Sequence, residues 1–335
     1  MDAGSWRWVF LLNIPLALVV VMVTLRHVPE TRNPDAAQRI DVPGALLIGL
    51  ALVGLSWGLI SAGDRGWSDP AVLFSLAGAA CAVALFAVVE LRSPHPMLPP
   101  TIFAVSQFRA ANLVTVAVYA GLGVVFFLLV VHLQQVLGYS ALEAGMATLP
   151  ITALMLLLSP RSGMLAERIG PRLQMTAGPA MVALGFLLMA RIDAGDSYVT
   201  GVLPAVLLVG FGLAATVAPL TATALGAVDD RHAGVASGVN NTVARASQLA
   251  AVAAVPVLAG ITGEAFLDPA RFSEGFSRAM LIAAGIVALG SLVAFLAVRN
   301  PKPDEVLPPR AAAMVGRVQC GVEGPALDRC PGQAA

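Results

Sequence analysis

The chain of 335 residues is 58% hydrophobic and 12% charged, and its 20 acidic and 20 basic side chains leave no formal net charge. A soluble domain has about 25% charged residues, and one of this composition would lack the polar side chains needed to cover its surface. The composition therefore excludes a soluble enzyme and predicts a protein whose outer solvent is lipid. The zero net charge also argues against a nucleic-acid partner.

Nine apolar runs are long enough to cross a bilayer, which takes about 20 residues of α-helix. They predict an all-α polytopic transmembrane bundle of about nine spans joined by short polar connections. The predicted spans are Trp8–Leu25, Val42–Ala62, Pro70–Leu91, Ala111–His132, Leu142–Ser162, Leu173–Arg191, Val199–Leu225, Ala233–Ile261 and Ser277–Val298.

The first span begins with Trp6 and Trp8, which suit the aromatic belt at the outer membrane interface. Pro15 lies within this span, where it removes one backbone hydrogen bond and predicts a kink that affects helix packing. Only seven residues precede the span, which is the position expected of an internal helix. We therefore expect that earlier helices of a longer protein are missing.

Two segments border the fourth span. Met97–Asn112, before it, has Arg109 as its only charged residue and is predicted to lie along the inner interface. Gln134 and Gln135 end the span, and we predict that they line a cavity.

The connection after the fifth span contains two glycines that permit sharp backbone changes, Gly163 and Gly170. Glu167 can pair with Arg168 or Arg172, or accept from the N-terminus of the next helix. We predict a cytoplasmic gating loop that latches two helices in one conformation and releases them in another. The alternative is an ordinary positive-inside loop with incidental charges.

The eighth span has polar side chains on one face. Asn241, Arg245 and Gln248 recur at i, i+4 and i+7, and Asn240 flanks them. A charge near the bilayer centre costs about 2.5–3.5 kcal/mol on insertion scales, so this face is expected to meet water or protein. It is either the wall of a hydrated cavity or a set of interhelical hydrogen bonds near the cytoplasmic interface, with Arg245 extending toward that interface.

The same span opens with a GxxxG pair, Gly234 and Gly238. Because glycine has no Cβ, such a pair lets a neighbouring helix backbone approach closely. We therefore predict helix packing at this pair.

Basic residues are divided unequally between alternate connections. Fourteen of them, including those of the C-terminal tail, fall in one set and five in the other. The positive-inside rule then places the richer set and the C-terminus in the cytoplasm. Residues 300–335 have no apolar period and are predicted to be a disordered tail.

The sequence has no recognisable catalytic, cofactor-binding or metal-binding pattern. A phosphate-binding glycine loop and a nucleophile elbow are both missing, and the three cysteines have no zinc spacing. We predict neither enzyme activity nor a cofactor nor a metal site. The four histidines are isolated in sequence: His27, His95, His132 and His232.

Four segments together resemble the major facilitator superfamily, specifically its fourteen-helix drug:proton antiporter branch. SWRWVFLLNIP, from residue 5, is similar to the start of that family's sixth helix, and LQQVLGYSALEAGMATLP, from residue 133, to its ninth and tenth helices. GMLAERIGPR, from residue 163, resembles the C-terminal copy of the loop Gly-x-Leu-Ala-Asp-Arg-x-Gly-Arg, with Glu167 in place of Asp. ASGVNNTVARASQLAAV, from residue 236, resembles the thirteenth helix, although Ala246, Ala250 and Ala251 stand where the family often has glycine.

The resemblance covers about residues 5–299 and implies a domain order in which the family's first five helices are absent. The C-terminal lobe would itself consist of two inverted three-helix repeats. The implied parts are the last helix of the N-terminal lobe (1–25), a cytoplasmic loop and an extra central helix pair (26–91), an interfacial linker (92–110), the C-terminal six-helix lobe (111–299) and the tail (300–335).

The resemblance also implies export of hydrophobic or cationic small molecules across the plasma membrane (the inner membrane in an envelope with two), driven by proton entry. Proton coupling needs an intramembrane carboxylate, but Glu90 lies at one helix end and Glu143 begins another. The coupling acids are therefore expected in the missing half, and alternating access also needs a second lobe.

Three interpretations remain open. The chain is an exporter truncated at its N-terminus, a half-transporter that pairs with another chain, or a non-transporting membrane scaffold. The DNA upstream of Met1 distinguishes them. Five further spans in any frame would support the truncated exporter, and a neighbouring gene that encodes them would support the half-transporter. The absence of both would leave the scaffold.

Overall fold

The computed structural model describes residues 11, 13–27, 41–93, 98, 101–229 and 232–300. It divides into two units, Met1–Val298 and Arg299–Ala335, and all the described helices belong to the first. The tryptophans of the predicted outer belt, Trp6 and Trp8, and the tail from residue 301 lie outside the described residues.

The regular elements of the described residues are all helical. A single α-helical turn, Thr101–Ala104, precedes α4, and a π-helical turn, Tyr198–Val202, precedes α7. The long helices are α1 Asn13–His27, α2 Val42–Arg65, α3 Pro70–Arg92, α4 Ser106–Gln135, α5 Ala141–Ile169, α6 Pro171–Met189, α7 Leu203–Gly226, α8 Ala233–Leu258 and α9 Pro269–Ala297.

These helices confirm the predicted all-α membrane bundle, with one helix for each predicted span. Within the described ranges, seven helices, α2 to α7 and α9, are long and apolar enough to cross a membrane. The apolar helix α1 is shorter, at 15 residues. Helix α8 has the length but is more polar, because Asn241, Arg245 and Gln248 lie within it.

Local caps set several helix ends. Asp69 Oδ1 accepts hydrogen bonds from the first amides of α3, and Asp268 Oδ1 does the same for α9, each followed by a proline at the first helical position. The predicted ninth span began too late, at Ser277, because polar residues near Arg271 and Glu274 hid the two turns that follow the Asp268 cap. Ser140 and Glu143 form a capping box at the start of α5.

Helices α4 to α9 form the main bundle, with α4 at its centre. Two-thirds of the apolar window of α4 is buried, against 17% for α5, and its neighbours are mainly α8 and α9. Close approach depends on glycine: a Cβ on Gly290 of α9 would collide with Ala117 of α4, and one on Gly178 of α6 with the Gly212 carbonyl of α7.

The α2–α3 hairpin packs mostly on itself and makes a smaller contact with α8. Every described side chain of α1, including Pro15, is exposed. The packing predicted at Pro15 is therefore not formed within the described residues. These apolar exposed surfaces need lipid or further protein to cover them.

Candidate functional site

Helix α8 presents two different polar faces, and its buried face is bonded to α4. Asn240 is only 8% exposed, and its Nδ2 donates to Thr115 Oγ1 at 2.9 Å and to Asn112 Oδ1 at 3.3 Å. Thr115 in turn donates to the Ala111 carbonyl, so the chain of bonds ends on a backbone acceptor. For Asn240 the interhelical interpretation fits, because its amide links two helices of the bundle.

The opposite face of α8 is open. Asn241 and Arg245 are exposed, and the Asn241 amide donates only to the Ser237 carbonyl of its own helix, at 3.1 Å. No atom of another described element lies within 4 Å of a Cβ built on Gly234 or Gly238. The packing predicted at this glycine pair is thus not formed in the described structure, because the pair lies on the open face.

Gln248 lies between these two faces. It is half-buried, and a Cβ on Gly123 of α4 would lie 2.7 Å from its backbone oxygen and 2.8 Å from its Cγ. The backbone of α4 can approach α8 at this point only because Gly123 has no side chain. The predicted set therefore divides: Asn240 points inward, Gln248 lies at the contact with α4, and Asn241 and Arg245 face outward.

Gln134 and Gln135 lie away from this polar face, in the last turn of α4. Both are exposed, and Gln134 Nε2 donates to the Val130 carbonyl at 3.3 Å. They follow Gly123 by more than ten residues, which is roughly 16 Å along a helix. Gln134 and Gln135 therefore belong to the opposite end of α4 from Asn112.

The predicted gating loop is mostly helical, which corrects the expected end of the fifth span. Helix α5 continues through Gly163, Glu167 and Arg168 to Ile169, and only Gly170 separates it from α6. Gly170 has φ of +84°, a conformation that favours glycine. Within the described residues Glu167 forms no ion pair with either neighbouring arginine, and its side chain is exposed on the last turn of α5.

Arg172, the last residue of the predicted gating set, makes a contact that sequence alone did not indicate. Its Nε and Nη2 both donate to the backbone carbonyl oxygen of Phe295, in the last turn of α9. Its guanidinium also lies 5.1 Å from the centre of the Phe295 ring. Arg172 therefore connects the start of α6 to the end of α9.

A buried polar cluster at the same end joins α5, α6 and α7. Pro219 has no amide hydrogen, so the Ala215 carbonyl one turn earlier lacks its helical donor. Ser162 Oγ donates to that carbonyl at 3.2 Å and accepts from Gln174 Nε2 at 3.0 Å. The sequence signal was the in-helix proline, whose freed carbonyl needs a donor in a membrane.

Carboxylates of the described spans lie at helix ends. Glu90 is 4% exposed near the end of α3, and its Oε2 accepts from the Leu98 amide at 3.2 Å. Glu143 caps α5 through Ser140. Both residues therefore lie at helix ends and not in the middle of a span, in agreement with the sequence analysis.

The fold and this polar face define a class: a multi-pass helical membrane protein whose bundle leaves one polar helix face open. A profile of the Major Facilitator Superfamily matches residues 1–252. The chain belongs to that superfamily, which confirms the family expected from its four motifs.

Several curated relatives are named for drug or antibiotic export or resistance. The chain is 33% identical over 299 residues to the cephamycin export protein CmcT of Amycolatopsis lactamdurans, covering 87% of this chain and 60% of the relative. It is 34% identical over 303 residues to the lincomycin resistance protein of Streptomyces lincolnensis, covering 90% and 61%. With the multidrug resistance protein Stp of Mycobacterium tuberculosis the identity is 33% over 239 residues, covering 71% and 44%. The chain thus spans about three-fifths or less of the length of these relatives.

Proposed function

We propose that the chain is the C-terminal part of a proton-coupled exporter of apolar or cationic small molecules in the plasma membrane. The observation that carries this proposal is the open polar face of α8, where Gly234, Gly238, Asn241 and Arg245 are exposed while Asn240 is bonded inside the bundle. This face is one wall of the transport pathway.

Contact of the open face of α8 with lipid would be energetically unfavourable. An arginine at the centre of a lipid-facing helix costs about 2.5–3.5 kcal/mol on insertion scales. Arg245 is near the middle of α8, and no hydrogen bond or ion pair to it is formed among the described residues. Water or a second protein surface therefore covers Arg245 in the functional assembly.

Export is supported by the relatives, which include proteins named for cephamycin export, lincomycin resistance and multidrug resistance. We place the C-terminus of this chain in the cytoplasm, because the connections on the same side of the membrane as the C-terminus contain the larger number of arginines. The contact of Arg172 with Phe295 is then a cytoplasmic latch between α6 and α9, in place of the gating by Glu167 that the sequence suggested.

Alternating access needs two lobes that move about a shared site. The bundle α4 to α9 supplies one, and we assign the other to the part of the longer relatives that this chain does not cover. We therefore place Asn241 and Arg245 opposite that second lobe. The remaining candidates, Gln134 and Gln135, would lie at the outer mouth of the pathway.

A transport assay tests this proposal. The chain is expressed with the N-terminal helices of the lincomycin resistance relative, and export of a fluorescent cationic dye is followed in energised cells. We expect export that stops when a protonophore collapses the proton gradient, and that falls strongly in Arg245→Ala but not in Arg161→Ala, an exposed arginine near the cytoplasmic end of α5. Export that is unaffected by Arg245→Ala would contradict the role of the α8 face.

A further inference from the structure

A buried histidine lies at the end of the bundle that the arginine distribution assigns to the outside. His132, in the last turn of α4, is fully buried. Its ring stacks on Phe276 of α9, with ring centres 4.0 Å apart and planes 18° from parallel. Phe272, one turn earlier in α9, lies 6.2 Å away.

Both ring nitrogens of His132 are enclosed, and neither has a hydrogen-bond partner within 3.5 Å in the described structure, although the Ile192 backbone lies near enough to interact with the ring. A neutral imidazole has one N–H donor and one acceptor, and leaving both unmet is unfavourable in an apolar site. A leucine or phenylalanine would fill the same space without this cost, as Leu133 and Phe272 do nearby. Packing alone therefore gives no reason for histidine here, and a buried polar group without a close hydrogen-bond partner calls for another role.

Polar groups and open space lie just beyond the ring. Ile192, in the α6–α7 connection, and Ser277, next to Phe276 in α9, both line a cavity of about 630 Å³. Ser277 Oγ donates to the Ala190 carbonyl at 2.7 Å, so a side-chain hydrogen bond ties α9 to the end of α6 at this point. Separation of these two elements would bring the cavity to the ring.

The charged groups around the site are exposed. The α6–α7 connection contributes Arg191, Asp193 and Asp196, and α9 contributes Arg271, Glu274 and Arg278, all of them exposed. Asp268, which caps α9, pairs with Arg271 at 3.4 Å. Glu274 and Arg278 already form an ion pair at 3.2 Å. Asp193 is the carboxylate that already acts electrostatically on the ring, and it becomes available to a charged ring once the end of the bundle opens.

We propose that His132 is a proton-binding site, taking its proton from the outer solution, and that binding favours separation of α9 from the α6–α7 connection. In the closed packing both nitrogens are cut off from water, and a charged ring there would have the Ile192 backbone nearby but at least one N–H donor without an acceptor. In the opened arrangement water and Asp193 reach them. A ligand that binds one of two conformations more tightly shifts the population toward that conformation.

For transport, this inference rests on the proposed function: an exporter driven by proton entry needs a group that is protonated from outside. Proton binding at His132 is itself independent of any drug. A neutral His132 ring favours the closed packing of α9 against the α6–α7 connection, and a charged ring favours its opening. Such a transporter would therefore have an outer gate that responds to external acid.

Two measurements on the purified full chain in lipid nanodiscs test the proposal. Nitrogen NMR of histidine-labelled protein follows protonation of each imidazole, with His132→Gln identifying the signal. Hydrogen exchange, corrected for its intrinsic pH dependence, follows opening in peptides covering 127–140 and 188–200. We expect both to change over the same pH range, with exchange rising by up to about tenfold per pH unit on acidification, the limit for one proton bound on opening.

The variants separate this outcome from general acid loosening. His132→Phe and His132→Gln should make exchange in both peptides independent of pH, and the glutamine variant serves if the phenylalanine variant does not fold. His232→Phe, at the start of α8, should keep the wild-type response. The proposal is overturned if the His132 signal stays neutral while exchange rises, or if both His132 variants keep the pH response. Neither measurement uses a drug or a proton gradient. A failed export assay would therefore contradict the proposed function without affecting the test of proton binding at His132.

Discussion

Arg172 caps the end of α9 through the backbone of Phe295: its Nε and Nη2 lie 3.0 and 2.6 Å from the Phe295 carbonyl oxygen. Phe295 is within the last turn of α9, where carbonyls have no helical donor and the helix dipole is negative. One guanidinium thus supplies two donors and a positive charge where both are favourable. This contact fixes how the start of α6 meets the last helix of the bundle.

Replacing Arg172 should loosen this end of the bundle. We expect Arg172→Ala to lower the free energy of unfolding by about 1 kcal/mol, since the bonds are charge-assisted but exposed. Arg172→Lys should recover only part of this, because an ammonium lacks the planar pair of donors. Thermal unfolding in detergent micelles measures both, with Arg168→Ala as the control on the neighbouring exposed turn. Equal stability of Arg172→Ala and the wild type would contradict the capping role.

Adjacent asparagines of α8 should behave in opposite ways. Asn240→Ala removes the bonds to Thr115 and Asn112, and we expect it to destabilise the bundle by about 1 kcal/mol, as for other polar contacts between membrane helices. Asn241→Ala loses only a bond within its own helix and should leave stability unchanged. In the export assay, the Asn241 variant should show the larger loss per folded molecule. A larger stability loss for Asn241→Ala would reverse our assignment of the two faces.

The α6–α7 contact should not tolerate a methyl group at Gly178. A Cβ there would lie 2.8 Å from the Gly212 carbonyl oxygen, a backbone atom that can move only with its helix. We expect Gly178→Ala to cost about 2 kcal/mol of stability through overpacking. Gly285→Ala is the matched control, because nothing lies within 4 Å of a Cβ at that position. A neutral effect at Gly178, measured by thermal unfolding, would mean that the two helices are farther apart.

Ser162 and Pro219 should be energetically coupled. Ser162→Ala leaves the Ala215 carbonyl without its side-chain donor, at an expected cost of about 1–2 kcal/mol. Pro219→Ala restores a backbone amide that can bond this carbonyl within α7. In a double-mutant cycle the serine substitution should therefore cost less in the Pro219→Ala background. Strict additivity of the two changes would rule out a shared acceptor.

Helix positions were largely predictable from sequence because apolar length is a strong signal in a membrane protein. The predicted span Pro70–Leu91 and α3, Pro70–Arg92, differ by one residue. The misplaced ends have local causes: polar residues in the first turns of α9 mask the Asp268 cap, and Gly163 and Glu167 look like loop residues although α5 continues through them.

Side-chain partners were much less predictable, since lipid-facing and buried surfaces are both apolar. The sequence does not indicate which of the adjacent asparagines, Asn240 or Asn241, contacts α4. The GxxxG pair of α8 matches the sequence of a packing motif, although it lies on the open face. His132 is isolated in sequence, and its aromatic partners come from α9, well over a hundred residues later. Such contacts depend on the rotation of each helix about its axis, which composition does not encode.

The central claim is that the open face of α8 borders an aqueous pathway. Its most direct test is thiol labelling with a membrane-impermeant reagent, in membranes that contain this chain assembled with the N-terminal helices of a relative, after replacement of its native cysteines by serine. Cysteine at Asn241 or Arg245 should react, and a transported dye should slow the reaction. Cysteine at Asn240, bonded to α4, and at Leu156, on the apolar surface of α5, should stay unreacted. If positions 241 and 245 react only after detergent extraction, they face lipid, and the transport wall assigned to α8 does not exist.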